Sequence, residues 1–371
     1  MEKRTEMNFN LDLMLPYEQE VRDAISKCIT DKHFILGPEV EKFETNFAQF
    51  TNQAHCIGVG NGTDALRIAL LALGIGPGDE VISPAFNVGY TALAVTAVGA
   101  TNVFVDCDPN TMLLDISLIA AAITPRTRCI IPVHLFGQML DMHALAIIAR
   151  ENRLMIIEDA AQCHGATYAG EAPGKYSHAV AYSHYPTKNL GALGEAGSIT
   201  TNISSVAERC RLLRDGGRTD RYLHSLHGIN SCLDELQATV LNVKLKYLQQ
   251  RNKNRREIAA IYYGELLPLG DHLSLPFVAG YAEHVFHLFV LRANRRDELR
   301  TFLCGAGIPT LIHYPVPVPY QPCFMDPLFL GPWPEAEDAC REVLSLPMHP
   351  DLKEEEQFLI INAIKGFYGK T

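Results

Sequence analysis

Between about residues 55 and 210, short apolar runs alternate with stretches whose apolar residues recur at helical spacing. CIGVG (56–60), EVISPA (80–85), TNVFVDCD (101–108), CIIPVHLFG (129–137), LMIIEDAA (154–161) and AVAYSHY (179–185) read as strands. GTDALRIALLALG (62–74), YTALAVTAVG (90–99), ISLIAAAI (116–123) and DMHALAIIARENR (141–153) read as helices. Apolar runs without polar alternation are buried on both faces, so the pattern predicts a mostly parallel sheet with helices on each side. Ligands of such sheets sit in the loops at the carboxyl ends of the strands. One long helix is predicted over about 233–267, with Lys244, Lys246, Arg251, Lys253, Arg255 and Arg256 read as a solvated face. Further on, HVFHLFVLR (284–292) alternates like a strand, RRDELRTFLCGAG (295–307) is a helix closed by glycine, and the proline-rich HYPVPVPYQPCF (313–324) must be extended or looped. The expected organisation is a large α/β domain over 1–240 and a smaller C-terminal α+β domain over 241–371, joined by the long helix.

Composition narrows the class. The chain has 371 residues, 47% of them hydrophobic and 20% charged, which excludes disordered, collagenous and coiled-coil chains. The net charge of −10 opposes general binding to nucleic acid or to an anionic membrane, so any phosphate must be held by a local site. No run approaches eighteen apolar residues and the polar start, MEKRTEMNFN, has no apolar signal core, so neither a membrane span nor secretion is expected. The ten cysteines are scattered without a C-x-x-C pair, which fits reduced core residues in a cytoplasmic protein and no metal site, with Cys163 and Cys232 the two nearest to the motifs below.

Three segments carry candidate chemistry. Gly58-Val59-Gly60-Asn61-Gly62-Thr63-Asp64 is a glycine-rich turn that opens a helix, where free N–H groups and the positive dipole end suit a phosphate. A tight turn capped by Asn61 or Thr63 is the bland reading. The third glycine of a dinucleotide fingerprint would fall at Thr63, which disfavours a nicotinamide-dependent oxidoreductase. Glu158-Asp159-Ala160-Ala161-Gln162 ends a buried strand, and neighbouring strand side chains alternate, so one carboxylate could face a ligand's protonated nitrogen while the other turns away. Ser183-His184-Tyr185-Pro186-Thr187-Lys188-Asn189-Leu190-Gly191 places a single lysine in a loop of small residues; it is either solvated or a desolvated amine able to react with a carbonyl.

Taken together and in order, G-N-G-T-D-A-L, P-x-H-L-x-G-Q, E-D-A-A-Q-x-H-G-A and S-x-Y-P-T-K-N-L-G-A resemble the motifs of the DegT/DnrJ/EryC1/StrS sugar aminotransferases, and the likeness continues through Arg214-Asp215-Gly216, Gly228-Ile229-Asn230, Leu233 to Ala238 and His313-Tyr314-Pro315. The resemblance implies an aspartate-aminotransferase-like (type I) fold and pyridoxal 5′-phosphate (PLP) as cofactor. By matching position, Lys188 resembles the lysine that carries the cofactor and shuttles the proton, and Asp159 the partner of the pyridinium nitrogen. Gln162 resembles the residue that bonds the cofactor's 3-hydroxyl. Gly62, Thr63 and Asp64, through helix N-terminal N–H groups, and Ser183 resemble the phosphate cradle. Asn230 resembles a residue donated by the neighbouring subunit, which implies a homodimer with shared active sites. Tyr185, His313 and Tyr314 resemble positions lining the sugar pocket.

The implied reaction moves an amine from glutamate, which leaves as 2-oxoglutarate, to a nucleotide-linked keto-deoxysugar, dTDP-linked by resemblance. Amination at C-3 is expected, with C-4 the alternative and a non-catalytic PLP-fold regulator the reading from another class. Related sugar dehydratases carry histidine at the lysine position, and Lys188 is present. Four departures stand out. Val88 occupies the place of an aromatic residue that usually stacks on the cofactor, with Phe86 and Tyr90 two residues either side; His184 replaces a usual Phe, Ala196 a usual Gly, and Cys232 a usual Arg. Two arrangements are open at the ring face: Val88 lies against it, or a loop shift brings Phe86 there.

Overall fold

In the computed structural model, residues 7–9, 11, 17–325 and 331–369 are described. Two helices, α1 (Glu18–Asp31) and α2 (Pro38–Phe50), precede the first strand and were not legible in the apolar pattern. Then follow β1 (His55–Val59), α3 (Gly62–Ala72), β2 (Glu80–Pro84), α4 (Tyr90–Ala97), β3 (Thr101–Val105), α5 (Ile116–Ala122), β4 (Thr127–Ile130), α6 (Met142–Glu151) and β5 (Met155–Asp159). The short β6 (Thr167–Tyr168) leads to β7 (Ala179–Ser183), β8 (Gly197–Thr201) and α7 (Ser204–Arg214).

Seven strands form one sheet in the order β1-β8-β7-β5-β4-β2-β3. All neighbours pair in parallel except β8, which runs antiparallel to both β1 and β7. Alternate side chains of each strand enter opposite cores. Ile82, Ile130, Ile156 and Val180 pack with α2 and α6, while Val81, Cys129, Ile157 and Ala181 pack with α3, α4 and α7. This two-sided burial is why the strands read as unbroken apolar runs. The run 129–137 yields only a strand to Ile130; beyond it a single bridge joins Val133 to Asp159 and a 3-10 turn forms over Leu135–Gly137.

The long helix predicted over 233–267 is two helices, α8 (Glu235–Leu245) and α9 (Leu248–Leu266). Lys246 and Tyr247 bond back three residues instead of four, which tightens and ends α8. The basic face is not solvated throughout: Lys244, Arg251 and Arg255 are buried. Arg251 forks onto Asp351, and Arg255 donates to the carbonyls of Phe286 and Met348. Their side chains join α9 to the C-terminal part.

That part contains β9 (Leu273–Ser274), β10 (Ala282–Glu283), β11 (Phe289–Ala293), α10 (Arg296–Gly305), α11 (Pro334–Glu342), β12 (Val343–Leu346) and α12 (Glu354–Phe367). The antiparallel sheet β12-β11-β9 packs with α9, α10 and α12 on a core of its own, and β10 pairs with β6. We propose the domain division near residue 240, within α8 and ahead of its turn into α9. No helix among the described residues is long and apolar enough to cross a membrane.

Candidate active site

The carboxyl ends of β5 and β7, the amino end of α3 and the loops after β2 and β7 enclose a cavity of about 640 Å3. Gly62, Thr63, Asp64, Val88, Asp159, Gln162, Ser183, Tyr185, Lys188 and Tyr314 all line it. Segments far apart in the chain meet here because β5 and β7 are adjacent in the sheet.

Asp159 is buried at the last position of β5. Its Oδ2 accepts from Thr91 Oγ1 at 2.7 Å and its Oδ1 from the Ala161 N–H at 3.1 Å. Asn87 Nδ2 in turn donates to Thr91 Oγ1 at 2.8 Å. Burial pushes the Asp159 carboxyl up from its ordinary range, and Thr91, Ala161 and the Lys188 amine oppose that. Glu158 faces the other way. Its Oε2 accepts from His134 Nε2 at 2.6 Å, and its Oε1 from the Gly174 N–H at 2.7 Å and Ser177 Oγ at 2.6 Å. With its acceptors engaged by three donors, Glu158 braces the loop at 174–177, and Asp159 alone is offered to the cavity.

The half-buried Lys188 lines the same cavity, and burial pulls its pKa down to about 8, while Asp159 acts to raise it. The loop turns tightly there, and Gly191 abuts the Pro186 carbonyl oxygen, which an added Cβ would approach to 2.5 Å. Gln162 bonds at both ends: its Oε1 accepts from the Phe136 N–H at 2.7 Å and its Nε2 donates to Tyr314 Oη at 2.9 Å. That leaves its second amide hydrogen free for a ligand.

At the amino end of α3, Asn61 Oδ1 caps the Asp64 N–H at 2.8 Å, and the Asp64 carboxylate accepts from Ser231 Oγ at 2.7 Å. The capping reading holds for Asn61, on the Asp64 N–H. Asp64 supplies neither a free N–H nor a suitable charge for an anion, whereas the Gly62 and Thr63 N–H groups make no hydrogen bond among the described residues. A Cβ on Gly62 would stand 2.6 Å from that of Ser183, so glycine keeps this cradle open.

A family model described as the DegT/DnrJ/EryC1/StrS aminotransferase family matches residues 17–365. The chain belongs to that family. It is 46% identical, over 96% of its length and 98% of the relative's, to a pleiotropic regulatory protein of Geobacillus stearothermophilus. It is 44% identical, over 96% of its length and 94% of the relative's, to the dTDP-3-amino-3,4,6-trideoxy-alpha-D-glucose transaminase of Streptomyces venezuelae. Among solved structures, that of S. venezuelae DesV in complex with a ketimine intermediate superimposes with a TM-score of 0.94 at 43% identity, covering 98% of this chain and all of that one.

This aminotransferase is PLP-dependent, as its family is, and a structural neighbour at 32% identity holds the aminated form of the cofactor. The residues present fit that group. The Asp159 carboxylate, held by Thr91, would suit a protonated ring nitrogen; the Gly62 and Thr63 N–H groups, without a hydrogen bond among the described residues and beside a gap that glycine keeps open, would suit a phosphate; and a lysine of lowered pKa lines the same cavity.

Four sequence expectations are refined by the geometry. Val88 lines the cavity, whereas Phe86 is buried against Phe136 and Tyr314 and does not line it. Tyr90 begins α4 and reaches the same space. His313 does not line the cavity; its Nδ1 bonds Ser345 Oγ at 2.8 Å behind Tyr314. Asn230 is exposed on a strand-like bridge with Asp215 and does not line its own chain's cavity. Thr91, Asn87 and Glu195 belong to the site and were not singled out from sequence; Thr91 sits one position into α4, where a hydroxyl at a strand-to-helix junction was the available signal.

His184, in place of the usual Phe, is buried edge-on to Phe43 and Phe47. Its Nδ1–H donates to the Leu190 carbonyl at 3.0 Å, so its Nε2 accepts from Ser198 Oγ at 2.9 Å and the ring is neutral. Burial lowers its pKa from 6.5 to about 4. Between those values the unfolded chain binds a proton that the native ring refuses, so stability falls as the pH drops, by at most ~3 kcal/mol. His184→Phe should be less stable near pH 7, where it strands the Ser198 and Leu190 partners, yet lose less Tm than wild type between pH 7 and pH 4.5. Parallel Tm-versus-pH curves for the two proteins would contradict this.

Proposed function

We propose that this aminotransferase aminates C-3 of a dTDP-linked keto-deoxysugar, taking the amine from glutamate, in a homodimer whose sites are shared. The observation that carries the reading is the pairing of Lys188 and Asp159 across a cavity that also holds Tyr185 and Tyr314. The 44% identical relative bears the name of a dTDP-3-amino sugar transaminase.

When bound, PLP supplies an electron sink that withdraws charge from the carbon losing or gaining the proton. Gly62, Thr63 and Ser183 would hold its phosphate, Gln162 its hydroxyl and Asp159 its ring nitrogen. Asp159 serves as an anion fixed by Thr91 and the Ala161 N–H, so it favours a protonated nitrogen without reorganising. Lys188, with a pKa near 8, can both take and return a proton near neutral pH. Tyr314, its phenol pushed up to about 12 by burial, stays protonated and is fixed by Gln162 at the mouth. Asn230, exposed and not among the residues that line its own cavity, would serve the site of the second copy.

The name of the 46% identical relative invites a purely regulatory reading. Retention of both Lys188 and Asp159 favours turnover. The test is a panel of dTDP-linked 3-keto and 4-keto sugars with glutamate, followed by release of 2-oxoglutarate. Preference for a 4-keto substrate would overturn the C-3 assignment, and no turnover on any would favour the regulator.

Val88 bears on selectivity. Valine buries area against a ring but cannot stack, and stacking adds about 0.5–1.5 kcal/mol. Val88→Phe should slow loss of PLP on dialysis or shift the preference among keto sugars. A variant with unchanged retention, spectrum and selectivity would place Val88 away from the ring.

A further inference from the structure

A second cavity, of about 610 Å3, lies at the other end of the strands that carry the active site. Asp159 and Ser183 close β5 and β7 at the catalytic end, while Met155 and His178 mark where those strands begin. Four residues of extended chain separate the two ends of β5, roughly 13 Å.

The floor of this cavity is apolar, from Leu154, Ile156 and the exposed edge of Ile203. Its rim carries Arg150, Arg153, Lys175 and His178, and no carboxylate lines it. This is a cationic concavity on a chain whose net charge is −10. Lys175 is paired with Glu171 at 2.8 Å, but the guanidinium groups of Arg150 and Arg153 form no ion pair or hydrogen bond among the described residues. His178 Nδ1 accepts from the Ile156 N–H at 3.1 Å, which puts the ring proton on Nε2, and that N–H has no hydrogen-bond partner among the described residues. Arg153 itself holds φ at 55°, the left-handed region that glycine adopts freely and a long side chain does not.

We propose that this cavity is a binding site for a phosphorylated small molecule bearing an apolar or aromatic group. The guanidinium forks of Arg150 and Arg153 and the His178 Nε2–H suit a compact dianion, and the Leu154–Ile156 floor beside the Tyr176 ring suits the apolar part. The volume lies within the range of small-ligand sites. Three cations, one of them paired with Glu171, are too few on an acidic molecule for a nucleic-acid tract, which selects a small ligand over a polyanion.

The test uses the PLP-loaded enzyme, with adenosine 5′-monophosphate and inorganic phosphate as separate probes in titration calorimetry. The nucleotide should bind more tightly than inorganic phosphate. The variant Arg150→Ala with Arg153→Gly should weaken nucleotide binding about tenfold or more. Arg153→Gly suits the backbone at that position, so the fold should survive, and an unchanged Tm together with an unchanged cofactor spectrum would show that it has. Nucleotide binding undiminished in the variant would assign the probe to the active site and overturn the proposal. So would failure of the nucleotide to bind, or equal affinity for inorganic phosphate, which would leave no role for the apolar floor.

Discussion

Replacing Lys188 by alanine should lower turnover by at least about three orders of magnitude, since a positioned acid–base group alone contributes 10²–10⁴ and the covalent anchor is lost with it. Borohydride treatment of the wild-type holoenzyme should fix the cofactor to the peptide that carries Lys188; a tryptic map showing it on another lysine would refute the assignment. The pH profile carries independent information. The amine must be neutral to accept a proton, and its pKa is drawn down to about 8, so the rate of the proton-transfer step should climb as the pH rises through that value. Asp159 favours the charged amine. Removing its negative charge should therefore shift the rising limb to lower pH.

Asp159→Asn is expected to cost two to four orders of magnitude in kcat, similar to loss of a positioned electrostatic group (about 10²–10³ for one donor) compounded by loss of a full charge. The amide keeps the shape and its oxygen can still accept from Thr91, so part of the cofactor should remain bound by absorbance while turnover collapses. Glu158 offers no substitute, because His134, Gly174 and Ser177 already occupy its oxygens. Near-normal turnover in the variant would mean that the ring nitrogen is not held by Asp159.

Local signals carried a large share of this structure. Two-sided apolar runs announced the parallel strands, and the glycine-rich turn announced the helix end that offers Gly62 and Thr63, because each depends on residues adjacent in the chain. The carboxylate pair at 158–159 was readable as a strand-end site, but not which member faces the ligand. That choice rests on His134, Gly174 and Ser177, which come from other segments and converge only when β4, β5 and β7 pack. The basic stretch of α9 shows the same limit. Helical spacing placed Arg251 and Arg255 on one face, yet only docking of the C-terminal strands buried that face against Asp351 and the Met348 carbonyl.

The sequence by itself determined the alternation of strands and helices from β1 to β7, the lysine and the carboxylates available for chemistry, and the family to which they belong, since these are fixed by short-range pattern and motif. Only the tertiary structure decided that β8 runs against its neighbours, that Phe86 is committed to the core while Val88 faces the cavity, that Asp64 serves its own helix cap, and that Arg150, Arg153 and His178 ring a second cavity at the far end of the sheet. Each of those outcomes depends on contacts between residues distant in sequence, whose free energy exists only once the sheet has closed.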